Sequence, residues 1–188
     1  DTGKDMTMIH LRTLVKSALL SNNLHLLTTI LSSPTFPKKA YQREKAQLLD
    51  AVKAAKQSPS TLASQHFFKA IYGQTPYGHP VIGTKQTLQQ ISKHDISSFY
   101  QHHYNANHAI IALVGNITFK QAKNIAKQLT QKLPSNTTLN KLPVPKSHDS
   151  QMIHISYPAP QTSIRMGQIG VTRKSPAYAA LLAANYIL

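Results

Sequence analysis

Cysteine is absent from the 188 residues, which excludes disulfides, thiolate nucleophiles and every metal site built on sulfur. Glutamate is nearly absent as well, since Glu44 is the only one. The helical patterns that pair zinc-binding histidines with a glutamate base, His-Glu-x-x-His and its inverse His-x-x-Glu-His, therefore cannot be written anywhere in the chain. Gly-x-Ser-x-Gly is missing, so there is no nucleophile elbow, and the glycine-rich phosphate loops are missing too. No window approaches the roughly 20 apolar residues needed to span a bilayer. The opening residues Asp1 to Asp5 carry no basic stretch leading into an apolar one, which leaves the compartment open.

Acidic residues number 6 against 21 Lys and Arg, a formal net charge of +15. Such an excess invites phosphate or an anionic surface. The cations are scattered, however, with Lys38-Lys39 and Arg173-Lys174 the only adjacent pairs, and no basic stretch is interleaved with stacking aromatics. Solubility or attraction to an acidic partner explains the charge equally well. A basic nucleic-acid- or surface-binding module stays as the alternative of another class.

What is present is a patterned globular chain, 41% apolar and long enough for one core and part of another. Alternation predicts a strand over Met6–Leu14. Helices are expected over Ser21–Leu31, with Ser21 as cap, and over about Lys38–Lys56, with Tyr41, Leu48 or Leu49, Val52 and Ala55 on one stripe. A third helix runs from an N-cap at Ser60 to Tyr72, stopped by Gly73, with His66 on its apolar face. After a loop over Gly73–Gly83, Ser92 and Asp95 form a capping box for a helix carrying Ile96, Phe99, Tyr100 and His103. His108–Gly115 reads as a central strand buried on both faces. Thr118 caps a helix with Phe119, Ala122, Ile125 or Ala126, Leu129 and Leu133 on its stripe. Pro134–Ser150 reads as a linker. Strands over Gln151–Tyr157 and Ser163–Val171 precede a helix opened by Ser175-Pro176 that is expected to be still running at Leu188, as in a fragment of something larger or a chain ended at a convenient boundary.

Ten histidines make metal binding the first enzymatic hypothesis. His102 and His103 are adjacent on a helix and point about 100° apart, so with His108 they make a poor chelate. The plain reading puts His103 in the amphipathic stripe, His102 in solvent and His66 in the core.

The stretch from Phe68 to Thr84, containing Tyr72-Gly73-Gln74-Thr75-Pro76-Tyr77-Gly78-His79-Pro80-Val81-Ile82-Gly83, resembles the lyG-x-x-PYG-x-P-x-x-G segment of the insulinase/pitrilysin family of zinc peptidases. Leu88, Ile91, Asp95, Ile96, Phe99, Tyr100, Tyr104 and Asn107 follow at that family's spacing, then Leu113-Val114-Gly115-Asn116. Upstream, Arg43-Glu44-Lys45 is similar to the family's rER segment. Pro160-Gln161-Thr162 and Ala177–Leu188, with Asn185 opening an N-x-i-L, resemble the start of its second repeat. The resemblance implies an α+β fold with helices on one face of a mixed β-sheet. It also implies three parts: the end of a first repeat over 1–133, a linker over 134–150 and the beginning of a second repeat over 151–188.

Active members take two zinc ligands from a His-x-x-Glu-His helix and a third, a Glu, from the helix after the rER segment. That third position falls here at Ala51, or at Asp50 with a slip of one residue, and an alanine cannot bind zinc. The resemblance is thus to the family's inactive subunit, with no catalytic and no metal-binding residue in this chain. Tyr72, Gly73, Pro76, Tyr77, Gly78 and Gly83 are structural motif residues, the prolines and glycines fixing a rigid connection. Such a subunit would bind peptide and complete a degradation chamber with a catalytic subunit or a second copy, without nucleic acid or a membrane span. Zinc would belong to the partner, and the setting would be periplasmic or secreted. The alternative is an active zinc endopeptidase whose His-x-x-Glu-His helix precedes Asp1.

Overall fold

The computed structural model describes residues 2–135, 142–146 and 149–187. Its elements are helices α1 (Ser17–Ser32), α2 (Lys38–Ala55), α3 (Pro59–Tyr72), α4 (Lys85–Gln90), α5 (Lys93–His103), α6 (Phe119–Thr130) and α7 (Tyr178–Ile187). Two 3₁₀ turns, Pro76–Gly78 and Ala106–His108, complete them. They fall into two compact units, one made of Asp1–Val52 and Val81–Lys141, the other of Lys53–Pro80 and Leu142–Leu188. The linker expected over 134–150 lies partly outside the described residues, at 136–141 and 147–148, as does Leu188.

In the first unit α1 and α6 form the core. Leu24 of α1 is buried against Ile125 and Leu129 of α6, with Leu20, Leu27, Leu31 and Ile111 packed around them. These residues recur every three or four positions, so one stripe of each helix is apolar and can be removed from water. Helix α5 is joined to this core by the Tyr100 hydroxyl, which donates to the Leu31 carbonyl, and by an edge-on contact between Tyr100 and Phe36. Burial and the neighbouring Tyr104 raise the Tyr100 pKa. After α5, the Ala106 amide donates to the Pro134 carbonyl at 2.8 Å, tying that turn to the end of α6.

Three helix starts are reciprocal capping boxes, in which a side-chain oxygen accepts from the N3 amide while the N3 side chain accepts from the cap amide. They are Thr84 with Thr87, Ser92 with Asp95, and Thr118 with Gln121. The Ser92 box and the cap at Thr118 agree with the sequence reading, which did not foresee the part of Gln121. Helix α3 is capped by Ser58, not Ser60, because Pro59 takes the first helical position, where its missing N–H costs nothing.

In the second unit the chain from Ser163 to Val171 lies along α3. Arg165 donates from Nη2 to Ser60 Oγ at 2.8 Å and from Nε to Ser64 Oγ at 3.0 Å. Gly167 lies so close to the Phe67 ring that a Cβ there would sit 2.9 Å from Cζ, and a Cβ on Gly170 would touch Leu181 of α7 at 3.4 Å.

The expected mixed β-sheet, and with it the α+β class, is not what the chain forms. Among the described residues there is no strand, and the only β-type pairing is an isolated antiparallel bridge between Thr2 and Thr7. The segments read as strands, Met6–Leu14, His108–Gly115, Gln151–Tyr157 and Ser163–Val171, are irregular. A strand exists only through ladder bonds to a neighbour, and no backbone bond among the described residues joins the amides of 110–114 to another segment. The run read as buried on both faces instead leaves Ile110 96% and Val114 101% exposed.

Candidate functional site

The positions with a claim to chemistry begin on α2. Tyr41, Lys45, Leu49 and Val52 recur along one side of this helix and are its least exposed side chains together with Ala40 and Ala55, whereas Asp50 and Ala51 are exposed. Glu44 has its Oε1 engaged by Arg43, at 2.8 Å from Nη2 and 3.1 Å from Nε, in an ion pair open to solvent. The histidines do not converge. His102 Nδ1 lies 2.7 Å from the Ser98 carbonyl on its own helix, and His103 is stacked on Phe99 with centroids 4.3 Å apart. His66 is exposed on α3 and not in the core, whereas Leu62, Phe67 and Ala70 are half-buried. Among the described residues no three of His, Asp and Glu are grouped to hold a metal. A zinc hydrolase needs about three such donors and a carboxylate base, and the described side chains bring no such set together.

The motif residues build a turn. Gly73 ends α3 at φ +57° and ψ −123°, a conformation open to glycine, and its amide donates to the Lys69 carbonyl at 2.9 Å. Thr75 follows, bonded to the Tyr72 carbonyl through its hydroxyl at 2.8 Å and its amide at 3.0 Å. Pro76 opens the 3₁₀ turn, which Gly78 closes by donating to the Thr75 carbonyl at 2.9 Å. Tyr77 brings its ring to 5.5 Å from Tyr72, which itself stacks on Phe68 at 6.0 Å. Gly83, in the other unit, holds φ +74° just before the Thr84 cap of α4.

Two side-chain contacts of cationic residues escaped the sequence reading. Lys45 Nζ donates to the carbonyls of Gln89 at 2.9 Å and Ile91 at 2.8 Å, and lies 3.1 Å from the Tyr41 hydroxyl, which also donates to Ile91 O at 2.6 Å. An ammonium group thereby satisfies the open carbonyl end of α4, where a cation is favoured. Its signal was a lysine in register with an apolar stripe. The second is Arg165, the one Lys, Arg, Asp or Glu between Gln151 and Thr172. These arrangements fix backbone and present cations; none pairs a nucleophile with a base.

Comparison with known proteins places the chain among zinc-peptidase relatives. A family model described as "Peptidase M16 inactive domain" matches residues 90–188. An uncharacterized zinc protease of Rickettsia felis is 26% identical over 142 residues, covering 76% of this chain and 34% of that protein. A probable mitochondrial-processing peptidase subunit beta of Arabidopsis thaliana is 23% identical over 137 residues, covering 73% and 25%. The crystal structure of a peptidase M16 inactive domain from Pseudomonas fluorescens superposes with a TM-score of 0.84 at 30% identity, over 93% of this chain and 42% of that one. The chain thus spans about a third of the length of the Rickettsia relative, 34%. With more than half of its residues matched, from 90 to 188, the chain belongs to the family of peptidase M16 inactive domains.

Proposed function

We propose that the chain is the non-catalytic part of an insulinase-type zinc peptidase, in which it binds peptide and completes the wall of a degradation chamber. The observation that carries this reading is the inactive-domain match over residues 90–188. The α2 position where a third zinc ligand would fall, held by Ala51 or Asp50, supports it. Metal and base then come from a catalytic subunit, or a second copy closes the chamber, and the chain supplies surface. In the same proposal the assembly works in the periplasm or outside the cell.

The test uses the full-length parent protein, purified alone and mixed with its candidate peptidase partner, with zinc content and peptide cleavage measured on each. Zinc and cleavage in the mixture but not in the lone protein support the proposal. Zinc and cleavage in the lone protein support a second reading, an active endopeptidase whose His-x-x-Glu-His helix precedes Asp1. The zinc-protease name of the Rickettsia relative favours that second reading.

A further inference from the structure

Helix α6 has two faces of opposite character. Ile125 and Leu129 are turned inward against α1, while Lys120, Lys123 and Lys127 are exposed on the other side. Spacings of three, four and seven residues bring the three ammonium groups into one stripe about 10 Å long. Neither α6 nor α1 contains an acidic residue. Elsewhere in the unit, the Glu44 carboxylate is engaged by Arg43 and the Asp95 carboxylate by the Ser92 amide and hydroxyl, while Asp50 is exposed on α2. Like charges four residues apart weaken a helix, and partner carboxylates would relieve that repulsion. At the head of the stripe Phe119 is 76% exposed, with Lys123 Nζ 4.7 Å from its ring centroid.

We propose that this stripe docks an acidic polypeptide segment, one with carboxylates at helical spacing and an apolar side chain to meet Phe119. Charge complementarity favours carboxylates, and an exposed aromatic at the edge of a cationic row suits a protein partner, whose contacts centre on such anchors. Nucleic acid fits less well. A row of this length meets few phosphates, and it has no arginine fork for base edges. The inference concerns α6 alone and holds whether or not the peptidase reading does.

The experiment titrates the full chain with a labelled helical peptide rich in Glu, against a single-stranded oligothymidylate and vesicles containing phosphatidylserine. Lys120→Glu, Lys123→Glu and Lys127→Glu combined weaken peptide binding about tenfold or more, as three lost ion pairs would. The combination Lys38→Glu, Lys85→Glu and Lys93→Glu, equal in net charge but on other helices, changes it less than about twofold. The same three α6 positions changed to Gln give a milder loss, and circular dichroism checks that each variant keeps its helix content. Equal losses in the two Glu combinations would reduce the effect to net charge and overturn the proposal. So would tighter binding of the oligonucleotide or the vesicles than of the peptide.

Discussion

Gly78 lies directly against Gly73: a Cβ added to Gly78 would sit 2.2 Å from the Gly73 carbonyl oxygen and 3.1 Å from its carbonyl carbon. Neither contact can be relieved by rotating a side chain, because both atoms are backbone. Gly78→Ala is therefore expected to lower the stability of the chain by about 3 kcal/mol through forced displacement of the turn. A shifted urea midpoint measures it, and an unchanged midpoint would show that the turn is not held as described.

Gly73→Ala tests conformation and not space, since nothing lies within 4 Å of the position a Cβ would take. At φ +57° and ψ −123° an alanine is strained, and a loss of about 1–3 kcal/mol is expected. Gly73→Asn should cost less than Gly73→Ala, because asparagine tolerates positive φ better.

Lys45→Met keeps the aliphatic stem and removes the ammonium group that bonds the carbonyls of Gln89 and Ile91. The expected cost is about 1–2 kcal/mol. Amide exchange should quicken at Leu88 and Ile91 of α4 and its C-cap while the amides of α6 keep their protection. Equal loosening of both helices would mean that Lys45 serves something other than this helix end.

The Asp95 carboxylate accepts from the Ser92 amide at 2.7 Å and from the Ser92 hydroxyl at 2.8 Å. These bonds favour the ionised form, and its pKa lies below the ordinary aspartate value, first through the backbone bond and then through the side-chain bond. A carboxylate with a folded pKa below its unfolded one stabilises fully above the unfolded value, about 3.9. That contribution is lost as pH falls through the folded pKa. Thermal melts below about pH 4 should show Asp95→Ala losing less stability on acidification than the parent chain. At neutral pH Ser92→Ala should cost about 1 kcal/mol from the lost cap.

Arg165→Ala removes both hydrogen bonds to α3. Proteolysis or amide exchange should open the segment 163–171 while α1 and α6 stay protected. Arg165→Lys should restore only part of the loss, because Ser64 and Ser60 are reached from two separate nitrogens of one planar guanidinium, and a single ammonium nitrogen must reach both.

Local rules explain how much of this could be read from the sequence. Ser92 with Asp95 and Thr118 before Gln121 sit next to periodic apolar runs, so their helices were legible, as was α2. Helix α1 begins at Ser17, four residues before the expected Ser21, because its cap position is Lys16, which makes no side-chain cap bond and leaves no signal. Helix α4 is only six residues long, too short for a periodic stripe, and it was missed despite the Thr84 and Thr87 box. The strands failed for a different reason. Alternation at Met6–Leu14 and the apolar run at His108–Gly115 record what each segment could bury, whereas pairing depends on a neighbour that no local pattern reports. Phe119 belonged to the expected apolar stripe and is exposed at the first position of α6. At the candidate site the absent glutamates were visible at once. The Lys45 and Arg165 contacts join residues far apart in sequence and could be seen only in the folded chain.

The proposed non-catalytic role requires that the catalytic metal be held outside this chain. Elemental mass spectrometry on the purified chain, equilibrated with zinc and then dialysed, tests it most directly when peptide cleavage is assayed on the same sample. Far less than one zinc per chain and no cleavage are expected. One zinc retained per chain, with cleavage that a chelator abolishes, would contradict it.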